Sequence, residues 1–271
     1  MLTKVIISIN HSDGFKLYNM SVILNGNVIG NGRFVFGPDF VTNGLVIYLD
    51  AANKTSYPGS GTIWYDISGN GNNGTLVNGP TFSSSNGGIF VFDGVNDYVN
   101  FGDRDAFTLP GGFSVNIWFK TASVSFSNAS PFLAKYTTSN YEFVFGIVSN
   151  NLYGWVYDNT TNGYRGRYAT SISSYTSVGS WNNFTYTYDG GGLTSSSKLY
   201  INAVQRDNTD FNNANTFTTI RNTTSPLNLG DTNVGLGGPI NGSVGLINYY
   251  NRPLTLGEIT QNFYSMNYRY V

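Results

Sequence analysis

Apolar residues recur at alternate positions in short runs, and Gly, Asn, Asp or Pro separates one run from the next. Clear cases are "GLVIYLDA", "GIFVFDG", "GGFSVNIWFK", "YEFVFGIV", "NLYGWVYD", "NNFTYTYDG" and "KLYINAVQ". A period of two in β-branched and aromatic residues predicts half-buried strands, and many such strands with regular turn signals predict an all-β sandwich or jelly roll. Three weaker runs precede the main series: Val5 to Ile9, Met20 to Leu24 and Arg33 to Phe36, with Asn25-Gly26 as a hairpin turn. They predict a small β-element or arm over residues 1–42, followed by one domain over residues 43–271. One helix is signalled, in "RPLTLGEITQNFY". There Thr255 and Glu258 have capping-box spacing, and Leu256, Ile259 and Phe263 follow one helical face. This short C-terminal helix is expected to dock its apolar side on the sandwich.

Composition narrows the function classes. Charged residues make up 11% of the 271, and the net charge is −1 with no cluster of Lys or Arg. The electrostatic footprint of a nucleic-acid binder or an anionic-membrane binder is therefore missing. The polar surface must be neutral and built from Asn, Ser, Thr, Gly and Tyr. There is no cysteine, which removes disulfides, thiolate metal sites and a cysteine nucleophile. The apolar run Val5 to Ile9 is too short for a signal h-region and reads as a strand. A protein made in the cytoplasm without a signal peptide and without membrane insertion is expected.

Catalytic chemistry finds little support. Glycoside hydrolysis normally uses two carboxylates flanking the scissile bond, and the chain has two glutamates, Glu142 and Glu258, the second assigned to a helix cap. Most aspartates sit in turn contexts. The single histidine, His11, neighbours Ser12 and Asp13 in sequence, which is no triad and reads as an exposed turn. No phosphate-binding, dinucleotide-binding or zinc-protease motif occurs. The chain reads as a non-enzyme with no resident cofactor. Loops carrying Asp93, Asp97, Asp103 and Asp105 are the one place where oxygen ligands for calcium could gather, against the plainer reading of turn chemistry.

The aromatic content, 20 Tyr, 19 Phe and 4 Trp, points toward recognition, because Trp and Tyr stack on apolar faces while their polar tips hydrogen-bond. In "NLYGWVYDNTTNGYRGRYATS", Tyr153, Trp155 and Tyr157 share a strand face, for which core or interface packing is the plainer reading. The segment after them, read as a loop, adds Tyr164, Arg165, Arg167 and Tyr168. With Trp155, these four are the candidate ligand-binding residues.

The segment "DISGNGNNGTLVNGPTF" is rich in glycine and asparagine. It lacks the lysine and the following helix of a phosphate cradle. Apolar flanks, Ile63 to Tyr65 before it and Leu76-Val77 within it, argue against a solvated spacer. It reads as a rigid loop between strands that uses positive-φ turns.

Taken in order, "GLVIYLDAAN", "WYDISGNGNNGTLVNGPTF", "FVFDGVNDYVNFGD", "FSVNIWFK", "SWNNFTYTYDG", "KLYINAVQ" and "INGSVGLINYYNRPLTLGEI" resemble the LamG-like jelly rolls, which are laminin-G-like and concanavalin A-like. The resemblance covers nearly everything after residue 43. It implies two curved antiparallel sheets with Trp118 and Trp181 on framework strands. The chain departs from the family at the strand Val244 to Ile247, which lacks an acidic pair. Pro253 stands where alanine is usual, and Ala203 where glycine is usual. The "LDAAN" to "NNGTL" stretch looks similar to versions in virion proteins of tailed phages. That resemblance implies a capsid-decoration, head-fibre or tail-fibre component on the virion surface. It would be attached to other virion proteins through its N-terminal element, assembled as a homo-oligomer such as a trimer, and able to bind a glycan.

Overall fold

A computed structural model describes residues 3–12, 15–24, 27–36, 39–122, 130–231 and 238–270. The chain divides into two compact units. One is Thr42–Thr255; the other combines the residues up to Val41 with the segment from Leu256 onward.

In the smaller unit the three weak runs are longer than their apolar cores suggested. They form an antiparallel sheet of Thr3–Ser12, Phe15–Leu24 and Asn27–Phe36, in that order. His11 is a strand residue with Lys16 as its cross-strand partner, a correction to its reading as a turn. Backbone pairing extends past the alternating apolar residues because the ladder hydrogen bonds are made by the main chain, whatever the side chain. Residues 25–26, the expected hairpin turn, lie outside the described residues. The helix Leu256–Tyr270 starts directly after Thr255. It buries Ile259, Asn262, Ser265 and Tyr270, whereas Leu256, expected on the buried face, is exposed. Asn262 Oδ1 accepts the Val41 N–H at 2.9 Å, so a polar contact of this buried face is an amide capping the chain at Val41. Among the described residues, no helix is long and apolar enough to cross a membrane.

The larger unit is a sandwich of two antiparallel sheets. One has eight strands among the described residues: Val204–Gln205, Ser197–Ile201, Trp181–Tyr188, Phe113–Thr121, Asn241–Tyr250, Ile89–Asp93 and Thr81–Ser83 in path order, with Leu45–Asp50 also paired to Asn241–Tyr250. The other has nine: Thr209–Asn212, Gly163–Ala169, Asn151–Asp158, Asn140–Val148, Ser130–Thr137, Leu227–Leu229, Tyr98–Asn100, Gly74–Val77 and Ile63–Trp64. Alternation decides the core. Phe113, Val115, Ile117 and Phe119 meet Phe143, Phe145 and Ile147 between the sheets. Rings interlock across the layer, Phe119 on Phe132 at 4.8 Å and Phe113 on Phe143 at 4.7 Å, within the range where aromatic pairs attract. Tyrosine hydroxyls buried in this layer all find partners: Tyr186 with Ser197 Oγ at 2.9 Å, and Tyr249 donating to the Phe107 carbonyl at 2.9 Å.

The glycine- and asparagine-rich loop explains how one strand edge is closed. Leu45–Asp50 pairs with Asn241–Tyr250 on one side only, and an uncovered edge invites aggregation. Its other edge is capped by the loop. Asp66 Oδ1 accepts the Tyr48 N–H at 2.9 Å, and the Ile67 N–H donates to the Tyr48 carbonyl at 2.9 Å. Ser68 Oγ and Asn72 Nδ2 donate to the Val46 carbonyl at 3.1 and 2.9 Å, and Asn70 Nδ2 to the Leu45 carbonyl at 2.8 Å. Gly69 and Gly71, at φ +93° and +70°, supply the left-handed steps that bring these side chains to one line.

The hairpin after Ser197–Ile201 turns on Asn202 and Ala203, both left-handed at φ 52° and 62°. Asn202 is held there by its side chain, which accepts the Asn183 N–H at 2.8 Å and donates to Asn182 Oδ1 at 2.9 Å. Ala203 has no such compensation, and a Cβ in this region costs about 1 kcal/mol or more. Ala203→Gly is therefore expected to raise stability by about 0.5–1 kcal/mol after the greater freedom of the unfolded glycine is subtracted. A higher urea midpoint at unchanged slope is the readout.

Candidate functional site

On the nine-stranded sheet the side chains that do not enter the core form a second, separate cluster. Leu152 and Val156 point inward, so Tyr153, Trp155 and Tyr157 point outward. Cross-strand register carries the pattern sideways: Tyr153 faces Tyr168, Trp155 faces Gly166 and Tyr157 faces Tyr164. Gly166 in turn faces Phe211. With no side chain at Gly166, Phe211 leans over it onto Trp155, ring centroids 5.0 Å apart, and is also 4.8 Å from Tyr164 and 4.9 Å from Tyr168. On the other flank Tyr157 meets Tyr141 at 5.2 Å, and Tyr141 meets Tyr136 at 4.6 Å. The result is an unbroken aromatic stripe over five adjacent strands, on the order of 20 Å wide at about 4.8 Å per strand.

The stripe has a buried floor and a partly open top. Tyr153 and Trp155 are stacked at 4.4 Å and buried, while Tyr136, Tyr141, Tyr157, Tyr164, Tyr168 and Phe211 are half-buried. Two buried polar atoms of the floor, Tyr153 Oη and Trp155 Nε1, have no hydrogen-bond partner. A buried donor without a partner is costly, so both are poised for an acceptor. Burial, helped by Tyr141, pushes the Tyr136 hydroxyl up to about 12. Burial also pushes Tyr157 and Tyr168 up, each helped by neighbouring tyrosines. These hydroxyls stay neutral donors across the ordinary pH range.

The segment from Tyr164 to Tyr168, expected as a loop, is the strand Gly163–Ala169. A strand sends alternate residues to opposite faces. Tyr164 and Tyr168 join Trp155 on the stripe. Arg165 and Arg167 turn away and fasten the sandwich edge: Arg165 donates to the carbonyls of Tyr164 (2.7 Å), Asn213 (3.2 Å) and Asn215 (3.0 Å). Arg167 pairs with Asp207 at 3.1 Å and with Asp210. The five candidate ligand residues thus separate into three on the stripe and two in the scaffold. Three further stripe residues escaped the sequence reading. Tyr136 and Tyr141 flank the "TTSN" turn, and a β-bulge between Lys135 and Tyr136 sets their facing. Phe211 arrives from a strand that no local pattern links to Trp155.

The aspartates considered for calcium do not converge. Asp93 Oδ1 accepts the Val95 N–H at 2.8 Å, and Asp97 Oδ2 accepts the Asp93 N–H at 3.1 Å, which is turn chemistry. Asp103 is paired instead with Lys135 at 2.9 Å. Among the described residues, no three carboxylate, histidine or cysteine side chains gather as a metal site.

Two buried acids are structural. Glu142 is the extra residue at the bulge, which turns it to the same side as Lys135. There it takes the Lys135 ammonium at 2.5 Å, the Thr223 N–H and hydroxyl at 2.8 Å each, and the Thr108 hydroxyl at 2.8 Å. Asp158 ties the segment after the aromatic strands to the sheet. It accepts the Thr160 N–H at 3.0 Å, the Thr218 N–H at 3.0 Å and the Thr218 hydroxyl. Burial pushes its carboxyl up, but the bonds from Thr218, Thr160 and Thr219 together outweigh burial and hold it down at about 2. A carboxyl lowered in the folded state contributes stability that is fully present above its unfolded value and lost as the pH falls. Asp158→Asn is expected to cost about 1–3 kcal/mol at pH 7. The gap between variant and parent in urea midpoint should close as the pH falls from about 4 to about 2.

The chain matches the family model described as the concanavalin A-like lectin/glucanases superfamily (Laminin_G_3) over residues 93–260, more than half its length. No curated protein sequence matches it. Among solved structures it is similar to the receptor-binding domain of the botulinum neurotoxin C/D mosaic serotype, with a TM-score of 0.62 and 13% identity, over 82% of this chain and 51% of that one. The ligand-binding domain of botulinum neurotoxin serotype D, in complex with N-acetylneuraminic acid, aligns with a TM-score of 0.60 at 13% identity over the same shares, 82% and 51%. The chain thus spans about half the length of these toxin domains. Domain 4 of AbnA, an extracellular GH43 arabinanase of Geobacillus stearothermophilus, in complex with arabinotriose, aligns with a TM-score of 0.56 and 17% identity, over 80% of this chain and 97% of that domain. At these identities the likeness is one of fold. The antiparallel jelly-roll sandwich and the span of the family match together make this chain a member of the concanavalin A-like lectin/glucanases superfamily, of the Laminin_G_3 type.

Proposed function

We propose that the chain is a non-catalytic module that binds an oligosaccharide along the stripe of Tyr136, Tyr141, Tyr157, Tyr164, Trp155, Tyr168 and Phe211. The single observation that carries the reading is a contiguous aromatic surface lying outside the sandwich core. Such rings stack on the apolar faces of sugars, and the neutral tyrosine hydroxyls supply directional bonds. A stripe five strands wide suits several sugar rings rather than one. Lectin-like relatives in complex with N-acetylneuraminic acid and arabinotriose support the same class of ligand. Both glutamates are occupied structurally or in the helix, which favours binding over glycosidic chemistry.

The wider setting we propose is the surface of a tailed-phage virion, as a capsid-decoration, head-fibre or tail-fibre component made in the host cytoplasm. The separate three-stranded unit would supply attachment to other virion proteins, and a homo-oligomer, a trimer in that setting, would present several stripes at once. A second reading, a free carbohydrate-binding or adhesion module, is favoured by the near-complete coverage of an arabinanase domain, 97% of it over 80% of this chain.

A glycan array on the purified chain, followed by titration of its hits, tests the binding. Tyr164→Ala and Phe211→Ala should each weaken the best hit about tenfold, 1.4 kcal/mol, with unchanged near-ultraviolet dichroism. No retained glycan at millimolar concentration would end the reading. Electron microscopy of particles separates the two settings: sandwich density projecting from the virion is expected, and purified particles lacking the protein would leave only the free module.

A further inference from the structure

We propose that a second site, independent of the aromatic stripe, binds a single carboxylate-bearing sugar unit such as a hexuronic acid. It is a cleft of about 490 Å³ in the sandwich unit, lined by Leu45, Leu109, Asn70, Asn72, Arg104 and Asn251 among others. The volume falls within the range of small-molecule sites and exceeds what a simple ion fills. In strand order the cleft lies far from the stripe. Its loop joins Ile63–Trp64 to Gly74–Val77 at one end of the nine-stranded sheet, and the stripe occupies the other.

Arg104 supplies the charge. It stands between two acids in sequence, yet neither is its partner: Asp103 pairs with Lys135 at 2.9 Å, and Asp105 Oδ1 accepts Asn222 Nδ2 at 2.8 Å. The guanidinium instead donates through Nη1 to Asn72 Oδ1 at 3.2 Å and to the Gly71 carbonyl at 3.5 Å. These neutral acceptors orient the group without neutralising it. Both bonds leave from one nitrogen, so the Nη2 and Nε edge, which forms the two-pronged contact with a carboxylate, has no partner among the described residues.

The rest of the lining suits a sugar ring. Asn70 and Asn72 are immobilised because their Nδ2 groups donate to the Leu45 and Val46 carbonyls. Immobile side chains lose little freedom when a ligand arrives. Asn70 Oδ1 and the Asn251 amide remain for hydroxyl groups, and Leu45 and Leu109 offer an apolar wall. One cationic side chain, with no lysine beside it among the lining residues, matches a single carboxylate better than a phosphate dianion. The loop that caps the sheet edge therefore also holds the wall of a binding cleft.

Chemical-shift titration of the full chain with the methyl glycosides of glucuronate and galacturonate, methyl glucoside and inorganic phosphate tests this. A uronate should bind in the millimolar range, at least about fivefold tighter than methyl glucoside or phosphate, and shift the amides of residues 70–72 and 104–106. Arg104→Gln, at an exposed position, should abolish the preference for the acid. Tyr164→Ala should leave it unchanged, which keeps this site's failure distinct from failure of the stripe. Absent uronate binding, a preference that survives Arg104→Gln or is lost in Tyr164→Ala, or tighter binding of phosphate would each overturn the proposal.

Discussion

Lys135→Met is expected to destabilise the sandwich by about 3–5 kcal/mol, the usual cost of removing one partner of a buried ion pair. The side chains of Lys135 and Glu142 are both fully buried, and the ammonium also bonds Asp103 at 2.9 Å and the Thr223 carbonyl at 3.1 Å. Methionine keeps the stem and its packing but leaves a buried carboxylate with only the N–H and hydroxyl of Thr223 and the hydroxyl of Thr108. The buried acid then lacks its cation, which favours unfolding. The double variant Lys135→Met with Glu142→Leu should be less destabilised than the single one, because no unpaired charge remains. Urea midpoints at constant slope measure both effects. A loss below about 1 kcal/mol in the single variant would mean that water reaches the carboxylate and that the pair is not sealed.

Asp66→Ala should cost on the order of 3 kcal/mol, because one ionised side chain serves several donors and bonds to charged groups contribute more than neutral ones. Its Oδ1 accepts the Tyr48 and Ser68 N–H groups at 2.9 Å each, and its Oδ2 accepts the Asn72 N–H at 2.9 Å and the Ser68 hydroxyl at 2.7 Å. Without it the loop loses its centre, and the outer edge of Leu45–Asp50 loses its cover. Aggregation on storage should rise together with the fall in urea midpoint, since an uncovered strand edge pairs with other chains. Asp66→Asn separates geometry from charge. It keeps one acceptor and should recover about half of the loss. A fully stable Asp66→Ala would show that backbone bonds such as Ile67 to Tyr48 close the edge alone.

Much of the architecture was legible along the chain because a strand with one buried face must alternate. Phe113 to Phe119 and Phe143 to Ile147 carry that alternation openly, and both lie in the core. The turn chemistry of residues 66–73 was legible too, since positive-φ glycines and backbone-seeking asparagines have few other uses at that density, whereas Gly74–Val77, read as part of the same loop, is a strand. The stripe was legible only in part. The outward facing of Tyr153, Trp155 and Tyr157 follows from their spacing, but the same spacing fits core packing, and nothing local decides which sheet face is open. Arg165 and Arg167 looked like ligand contacts because they adjoin tyrosines in sequence. Strand geometry sends them to the opposite side, where Asp207, Asp210 and the carbonyls of Asn213 and Asn215 claim them.

The sequence by itself determined an all-β sandwich, a helix near its C-terminal end and a neutral aromatic character, because these depend on period, turn chemistry and composition. Tertiary structure alone decided that Phe211 completes the stripe across Gly166, that Glu142 turns inward at a bulge to meet Lys135, and that Arg104 faces a cleft walled by the loop after Asp66. The first rests on register between strands distant in the chain, the second on a bulge within one hairpin, and the third on two loops brought together by the sandwich; packing of the whole sets all three rather than any local run of residues.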